Sequence, residues 1–291
     1  MSEIIVRSME TMEEIVAAEG IQRAAWSMTD IEIIPAHALH AMQHSGAVLL
    51  GAFDGERLVG FNFGVLGTEE NPQRIDQVAA ARLKMYSVIT GVLPEYRSHD
   101  VGYRLKMAQR DFALRIGVRL ITWTYDPLES LNARFNIGKL GAVCHRYLRH
   151  FHGDMTGINT GLKTDRFEVE WWVTQNRVAA RAGKAWRPLR LESLLAGGAL
   201  LVNEATFNHA GLPVPPANYV SRPSNLMLVE IPVDFQSIKR ADFELAARWR
   251  MHTRDIFENM FDSGFIVTDF VPHEDADGNR HSYYLLTYQD S

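Results

Sequence analysis

One cysteine, Cys144, stands in a chain of 291 residues. No disulfide can close within the chain, and a multi-cysteine zinc site is excluded. A strong charge of either sign is also missing. The 30 basic and 35 acidic residues leave a formal charge of −5, so no bulk field draws the chain to nucleic acid or to an anionic membrane. No apolar run approaches the length needed to cross a bilayer. The opening MSEIIVRSMETMEEIV is too acidic and too interrupted for a secretory signal. Low-complexity segments and internal repeats are absent. These absences predict a soluble cytoplasmic protein that partners neither nucleic acid nor membrane.

What is present is material for a large core, since 46% of the residues are hydrophobic. The hydrophobic period alternates between strand-like and helix-like. Residues 3–9 read as a strand, and 10–26 read as a helix with an acidic first turn. Residues 34–46 open on Pro35 and close on Gly46, as a short helix does. Asp54-Gly55 between two apolar runs signals a hairpin. TEENPQRIDQVAAAR reads as a loop. LKMYSVITGVL, RLITWTYDP, AVCHRYLRHFHG and RFEVEWWVT follow as strands, with helices at 101–117 and 129–141 between them. The Gly and Pro content of 176–225 marks turns rather than long elements. LMLVEIP, one long helix from Ser237, FIVTDFVPH and SYYLLTY close the chain as a C-terminal α/β unit. The organisation expected is 1–175, an irregular connection over 176–225, and an extension over 226–291.

The segment LPEYRSHDVGYRLK (Leu93 to Lys106) joins a strand to a helix. Such a junction presents unpaired amide groups at the helix start, and these bind phosphate. Arg97 and His99 lie beside it, Arg104 follows in the first turn, and Gly102 permits close approach to the backbone. Pro94 stops ladder pairing, so the strand splays from its neighbour. A splayed edge suits an extended amide-bearing ligand. A ligand that is half amide chain and half pyrophosphate is coenzyme A.

The run GVLPEYRSHDVGYRLK resembles the central motif of the GNAT superfamily of acyl-CoA N-acyltransferases: a strand ending in Val-x-Pro, an Arg-opened pyrophosphate loop, then a helix. Val92 and Pro94 match the strand end, Arg97 opens the loop and Gly102 closes it. The family's middle glycine is Asp100 here, a residue able to take left-handed backbone. TWTYDPLESLNARFNIGKLGA resembles the strand and helix that follow in the family. Gly141 matches, Ala142 replaces an aromatic, and Ile137 occupies the place where a tyrosine often protonates the leaving thiolate. WTYDPL, NARFNIGKLG, TDRFEVEWW and IPVDFQ…WRMHTRDIF together resemble a branch with a C-terminal extension, associated with N-acylamino acid racemases.

The resemblance implies a mixed α/β fold: a central sheet with splayed strands and flanking helices, plus the C-terminal α/β extension. It implies acyl transfer from acetyl-CoA or succinyl-CoA to the amine of a small molecule, an amino acid in the branch named, with no metal. The expected donor-site residues are Val92, Arg97, Ser98, His99, Asp100, Val101, Gly102, Tyr103 and Asn132. The reaction needs a base for the amine, an oxyanion site and an acid for the thiolate. A backbone amide near Thr90 to Val92 can meet the oxyanion. Asp126, Glu170 and His145 are candidate bases, and Tyr147 and Tyr125 candidate donors to the thiolate, with Tyr125 also placed to touch substrate. Arg250 and Arg254, one turn apart, are candidates for a substrate carboxylate.

Each candidate has a plainer alternative. Asp126-Pro127 initiates turns, Glu168 and Glu170 fit a solvated sheet face, and buried tyrosines usually belong to the core. Leu245, Trp249, His252, Ile256 and Met260 form a helical core stripe. His150 and His152 could share a strand face without completing a metal site, and HEDADGNRH reads as a hairpin turn rather than a calcium loop. Three functional classes remain open: an acyltransferase, a non-catalytic acyl-CoA sensor, and a metal hydrolase using the histidines. A homodimer is open as well.

Overall fold

The computed structural model describes residues 3–26, 28–68, 83–97, 99–153, 161–183, 186–220 and 224–289. The expected loop between Thr68 and Leu83 and the predicted donor residue Ser98 lie outside these residues. The described residues divide into two compact units, one over 3–123 with 172–174, the other over 124–153, 161–171 and 175–289.

The first unit contains β1 (Ile4–Ser8), α1 (Met12–Trp26), α2 (Ala36–His44), β2 (Val48–Asp54), β3 (Arg57–Thr68), β4 (Leu83–Val92), α3 (Val101–Arg115) and the start of β5 (Leu120–Tyr125). The strands lie in the order β1-β2-β3-β4-β5. All neighbours are antiparallel except β4 and β5. The β2–β3 hairpin turns at Gly55-Glu56, one residue later than the Asp54-Gly55 signal suggests, because Asp54 itself pairs with Arg57. Gly55 takes φ +61°, the left-handed backbone that such a tight turn requires.

Successive strand residues face opposite sides of this sheet. A Cβ on Gly60 would meet Val101 and Leu105, and one on Gly64 would meet Gln109, so this face lies under α3. A Cβ on Gly91 would stand 2.8 Å from the Trp26 ring, so that face lies under α1. Ile15, Ala18 and Ile21 of α1 pack there with Leu39, Leu49, Phe61 and Phe63. The glycines thus let helices sit close on both faces of the sheet.

The second unit begins within β5. It continues with α4 (Ser130–Ala133), which runs directly into π-helical turns over Arg134–Lys139, then β6 (Val143–Leu148) and β7 (Arg166–Trp172). Next come α5 (Asn176–Ala182), α6 (Leu191–Ala196), β8 (Leu200–Asn203), β9 (Thr206–Phe207) and β10 (Pro213–Val214). β11 (Leu226–Ile231), α7 (Phe235–Ala241), α8 (Phe243–Asp262), β12 (Phe265–Glu274) and β13 (Arg280–Tyr288) complete it. Its strands run β7-β6-β12-β13-β11-β8, with β9 and β10 as a separate pair. The sheet is mixed, since β8 lies parallel to β11 while the other neighbours are antiparallel.

Two expectations change here. The described residues of 176–225 hold two short helices and three short strands between the turns, because Gly183 and the pair Gly197-Gly198 end elements without abolishing them. The long C-terminal helix is two. Asp242 ends α7, and its side chain accepts the Leu245 N–H (2.9 Å) to cap α8. The turn HEDADGNRH does join a hairpin, with His273 opposite His281 across β12 and β13. Asp275 accepts the N–H groups of Asp277 (2.9 Å) and Asn279 (2.8 Å) and so fixes that turn. Among the described residues no helix is long and apolar enough to cross a membrane.

Candidate active site

Among the described residues β4 and β5 are registered at two positions only, Met85 with Ile121 and Tyr86 with Thr122. β4 continues for six residues beyond, to Val92. A bulge at Val88 follows the last pair, where Phe63 and Gly64 of β3 face Ile89 and Ser87. A bulge bends and twists its strand, so β4 follows β3 on one edge and parts from β5 on the other. The Leu93 N–H still reaches Val59 O (2.9 Å), and Pro94 then opens a 3₁₀ turn through Tyr96. The fork expected from the proline therefore begins earlier, at the bulge.

The helix start stands at the open end of the fork. Asp100 takes φ 57°, ψ 11°, the left-handed conformation that a glycine would supply without cost. Its carbonyl accepts the Arg104 N–H (2.9 Å), the first bond of α3. Its carboxylate does not cap the helix. The amides ahead of Arg104 belong to the first turn of a 15-residue helix. His99 and Asp100 are exposed, Val92, Gly102 and Tyr103 are half-buried, and Val101 is buried. Arg97, also exposed, donates to Ala25 O (2.9 Å) and so ties the loop to the last turn of α1. His99 Nδ1 lies 3.0 Å from Arg97 O.

At the base of the fork sits a side chain to which the sequence reading assigns no role. Lys106 of α3 is 3% exposed. Its Nζ donates to Ser87 Oγ (2.7 Å) and Gln109 Oε1 (3.2 Å), and stands 3.8 Å from the centre of the Trp123 ring. Asn62 of β3 donates to Ser87 Oγ (3.3 Å) and Thr90 Oγ1 (2.8 Å). Burial pushes the ammonium down from 10.5 to about 7. Asn62 Oδ1 and Gln109 Nε2 are buried without a hydrogen-bond partner. In the sequence Lys106 shows only as a polar residue beside the inward stripe Val101, Leu105, Gln109, Ala113.

In the second unit the predicted residues are largely bound to one another. Arg250 grips Asp126 through two bonds, Nη1 to Oδ1 (2.8 Å) and Nη2 to Oδ2 (2.5 Å), with both side chains buried. Burial would raise the Asp126 pKa, but the charge and hydrogen bonds of Arg250 outweigh it and hold the carboxyl below its usual range. Arg254 holds Asp165 in the same forked way, Nε to Oδ2 (2.8 Å) and Nη2 to Oδ1 (2.9 Å). Tyr147 donates to Asp165 Oδ2 (2.7 Å), and burial, reinforced by that carboxylate, pushes its pKa well up. Tyr125 and Tyr284 share a bond (3.0 Å), and Tyr284 donates onward to Pro127 O (2.8 Å). Glu170 lies 3.7 Å from His145 Nε2, and both keep some exposure. Asn132 is exposed on α4, and Ile137 is fully buried in the π-helical turns.

Sequence reading missed Asp165, although it is fully buried and joins Tyr147, Arg254 and the His150 N–H. It also missed Arg181, which donates to Ile137 O (2.9 Å) and Gly138 O and pairs with Asp269 (2.6 Å). Gly141 is held by this arginine, since a Cβ there would stand 2.6 Å from Arg181 Cδ. The histidines of CHRYLRHFH do not share a strand face, because β6 ends at Leu148 and His150 turns at φ 49°. Among the described residues no group of three or more His, Cys, Asp or Glu is placed to hold a metal ion.

No family model and no curated protein matches the chain. Solved structures do. An N-acetyltransferase from Staphylococcus aureus Mu50 aligns at 14% identity over 60% of this chain and 100% of its own, TM-score 0.47. The ribosomal-protein-S18-alanine N-acetyltransferase of Escherichia coli aligns at 14% identity over 64% of this chain and 99% of its own, TM-score 0.44. NAA60 of Arabidopsis thaliana, solved with acetyl-CoA, aligns at 16% identity over 58% of this chain and 99% of its own, TM-score 0.46. Over about three fifths of its length, the chain is thus similar to solved N-acetyltransferases.

Proposed function

We propose that the protein is an acyl-CoA-dependent N-acyltransferase that acylates the amine of a small molecule, an amino acid by its likeness to the extended GNAT branch. One observation carries the reading: the fork between β4 and β5, open beside the start of α3. Ser87–Val92 offers an edge of about 20 Å at about 3.3 Å per residue. That edge is long enough for an extended arm carrying two amides. The helix start at its far end suits the pyrophosphate. The donor is acetyl-CoA or succinyl-CoA.

The chemistry follows from these parts. The arm pairs with the free edge of β4 as an added strand would. A β4 amide past the bulge receives the oxyanion as the amine attacks the thioester carbonyl. In the second unit Asp126 is already neutralised by Arg250, whereas Glu170 and His145 stand 3.7 Å apart and keep some exposure. Arg250 and Arg254 act as positioning residues, holding Asp126 and Asp165 rather than a substrate carboxylate. Arg97 gives one of its five N–H donors to Ala25 O, so the guanidinium can tie the loop to α1 and still meet a phosphate.

The test is direct. Calorimetry with coenzyme A should show binding by the wild-type protein and none by Gly102→Glu, which sets a carboxylate at the helix start. Circular dichroism should show both folded. Thiol release from acetyl-CoA and succinyl-CoA against a panel of amino acids then identifies donor and acceptor. Binding without amine-dependent thiol release would leave an acyl-CoA sensor instead. Unchanged affinity in a folded Gly102→Glu protein would remove the donor site.

A further inference from the structure

Lys106 occupies the point where the two strands part. Tyr86 and Thr122 form the last registered pair, and the next residue on each strand touches its ammonium: Ser87 on β4 at 2.7 Å and the Trp123 ring on β5 at 3.8 Å. The hydroxyl of Ser87 also takes a hydrogen bond from Asn62, so its own proton is turned away from both donors. Among the described residues no carboxylate compensates the charge, and burial lowers its pKa. Charged groups on the neighbouring strands are committed elsewhere: Arg7 to Glu14, Asp54 to the Tyr96 hydroxyl, Arg57 to Glu95. Lys84 lies on β4 itself, three residues before Ser87. An uncompensated buried ammonium is costly, and core packing alone would be served by methionine or leucine.

The fork gives the cost a use. With phosphate at the start of α3 and the arm lying back along β4, the sulfur end of the donor points toward Ser87. The departing thiolate needs a proton donor. We propose, resting on the acyl-transfer reading, that Lys106 acting through the Ser87 hydroxyl supplies the proton taken by the departing thiolate. The amine nitrogen forms the new C–N bond while the C–S bond breaks and leaves its electron pair on sulfur. Sulfur takes the Ser87 proton as Ser87 takes one from Lys106. The proton lost by the amine nitrogen returns through solvent to the lysine, so the cycle closes without an added reactant. The thiolate of a thiol titrating near 8.5 is a stronger base than the amine of a lysine titrating at about 7, so the transfer runs downhill. At neutral pH the lysine is readily reprotonated.

The experiment compares wild type with Lys106→Met, Lys106→Arg and Ser87→Ala, reading coenzyme A binding by calorimetry and kcat from pH 6 to 9.5. Binding should be retained by all four. Wild-type kcat should fall on the alkaline side as Lys106 loses its proton. Lys106→Met and Ser87→Ala should lose roughly 100-fold or more in kcat, the scale of a missing general acid, together with that alkaline limb. Lys106→Arg keeps the charge but cannot release a proton, and it should not rescue the rate. A Lys106→Met or Ser87→Ala protein with kcat within about twofold of wild type and an unmoved pH profile overturns the proposal. If one of the two fails to fold, the other decides. A wild type that binds no coenzyme A removes the acyl-transfer reading and this proposal together, whereas normal turnover in the variants removes this proposal alone.

Discussion

Replacing Lys106 by methionine should alter stability in a way that depends on pH. In the folded chain the ammonium titrates at about 7, against 10.5 for an ordinary lysine. Between those values the unfolded chain binds a proton that the folded chain does not, so wild-type stability rises with pH across that window. Below pH 7 the full penalty of burying or neutralising the charge applies. At about 1.4 kcal/mol for each pH unit, the penalty amounts to about 5 kcal/mol. Methionine escapes it but forfeits the bond to Ser87 and the contact with the Trp123 ring, about 1 kcal/mol each. Lys106→Met should therefore be more stable than wild type by about 3 kcal/mol at pH 7 and less stable by about 2 kcal/mol near pH 10.5. Urea denaturation of both proteins at four pH values measures this, and other titrating groups cancel in the difference. A stability difference that is the same at pH 7 and pH 10 would refute the argument, because it would mean that Lys106 titrates normally.

Other perturbations have equally definite outcomes. Gly91→Ala places a methyl 2.8 Å from the Trp26 ring and 3.2 Å from Ile21; thermal melts should show a loss of about 1–3 kcal/mol, largely recovered when Trp26 is also made smaller. Asp126→Asn strands a buried arginine and should cost about 3–5 kcal/mol, whereas Asp126→Asn combined with Arg250→Met should cost clearly less. A double-mutant cycle measures that coupling, and additive losses would count against the pair. Asp100→Gly removes left-handed strain and a carboxylate from the helix start. Its stability should change by less than about 1 kcal/mol while coenzyme A binds several-fold more tightly, and weaker binding by calorimetry would contradict the donor site.

Much of the framework is legible in local pattern, because hydrophobic period, caps and turns are local properties. Strands such as β4 and β7 follow from their apolar runs, and the two-residue turn at Gly55 follows from the left-handed backbone that glycine allows. The donor loop is legible for the same reason: strand end, proline, arginine, glycine and helix are consecutive. Pairings between distant residues leave no such trace. Asp126 and Arg250 are 124 residues apart, and nothing around either names the other. Asp126 before proline reads as a turn starter, and Arg250 on a helix reads as solvated, until burial brings them together. Lys106 was hidden differently. A lysine on a surface helix is ordinary, and only the glycines at 60 and 64, which draw α3 close to β3, turn its position into an interior one.

The π-helical turns at Arg134–Lys139 carry a consequence for reading this chain against others. A π-turn holds one residue more than the α-turn it replaces, so it behaves as a one-residue insertion absorbed without a loop. Each residue advances an α-helix by about 100°, and counting back from Gly141 at α-helical spacing therefore names the wrong side chain for a given direction. A relative lacking one residue here could keep the same strands and present Asn136 or Gly138 where alignment would set Ile137. The carbonyls at the end of this helix do not go wanting: Arg181 takes those of Ile137 and Gly138, Trp171 that of Leu140, and Arg177 that of Gly141. The insertion and its three distant donors are thus a matched set. Deletion of a single residue from 134–139 should be tolerated only in a chain whose residues 171, 177 and 181 have changed with it.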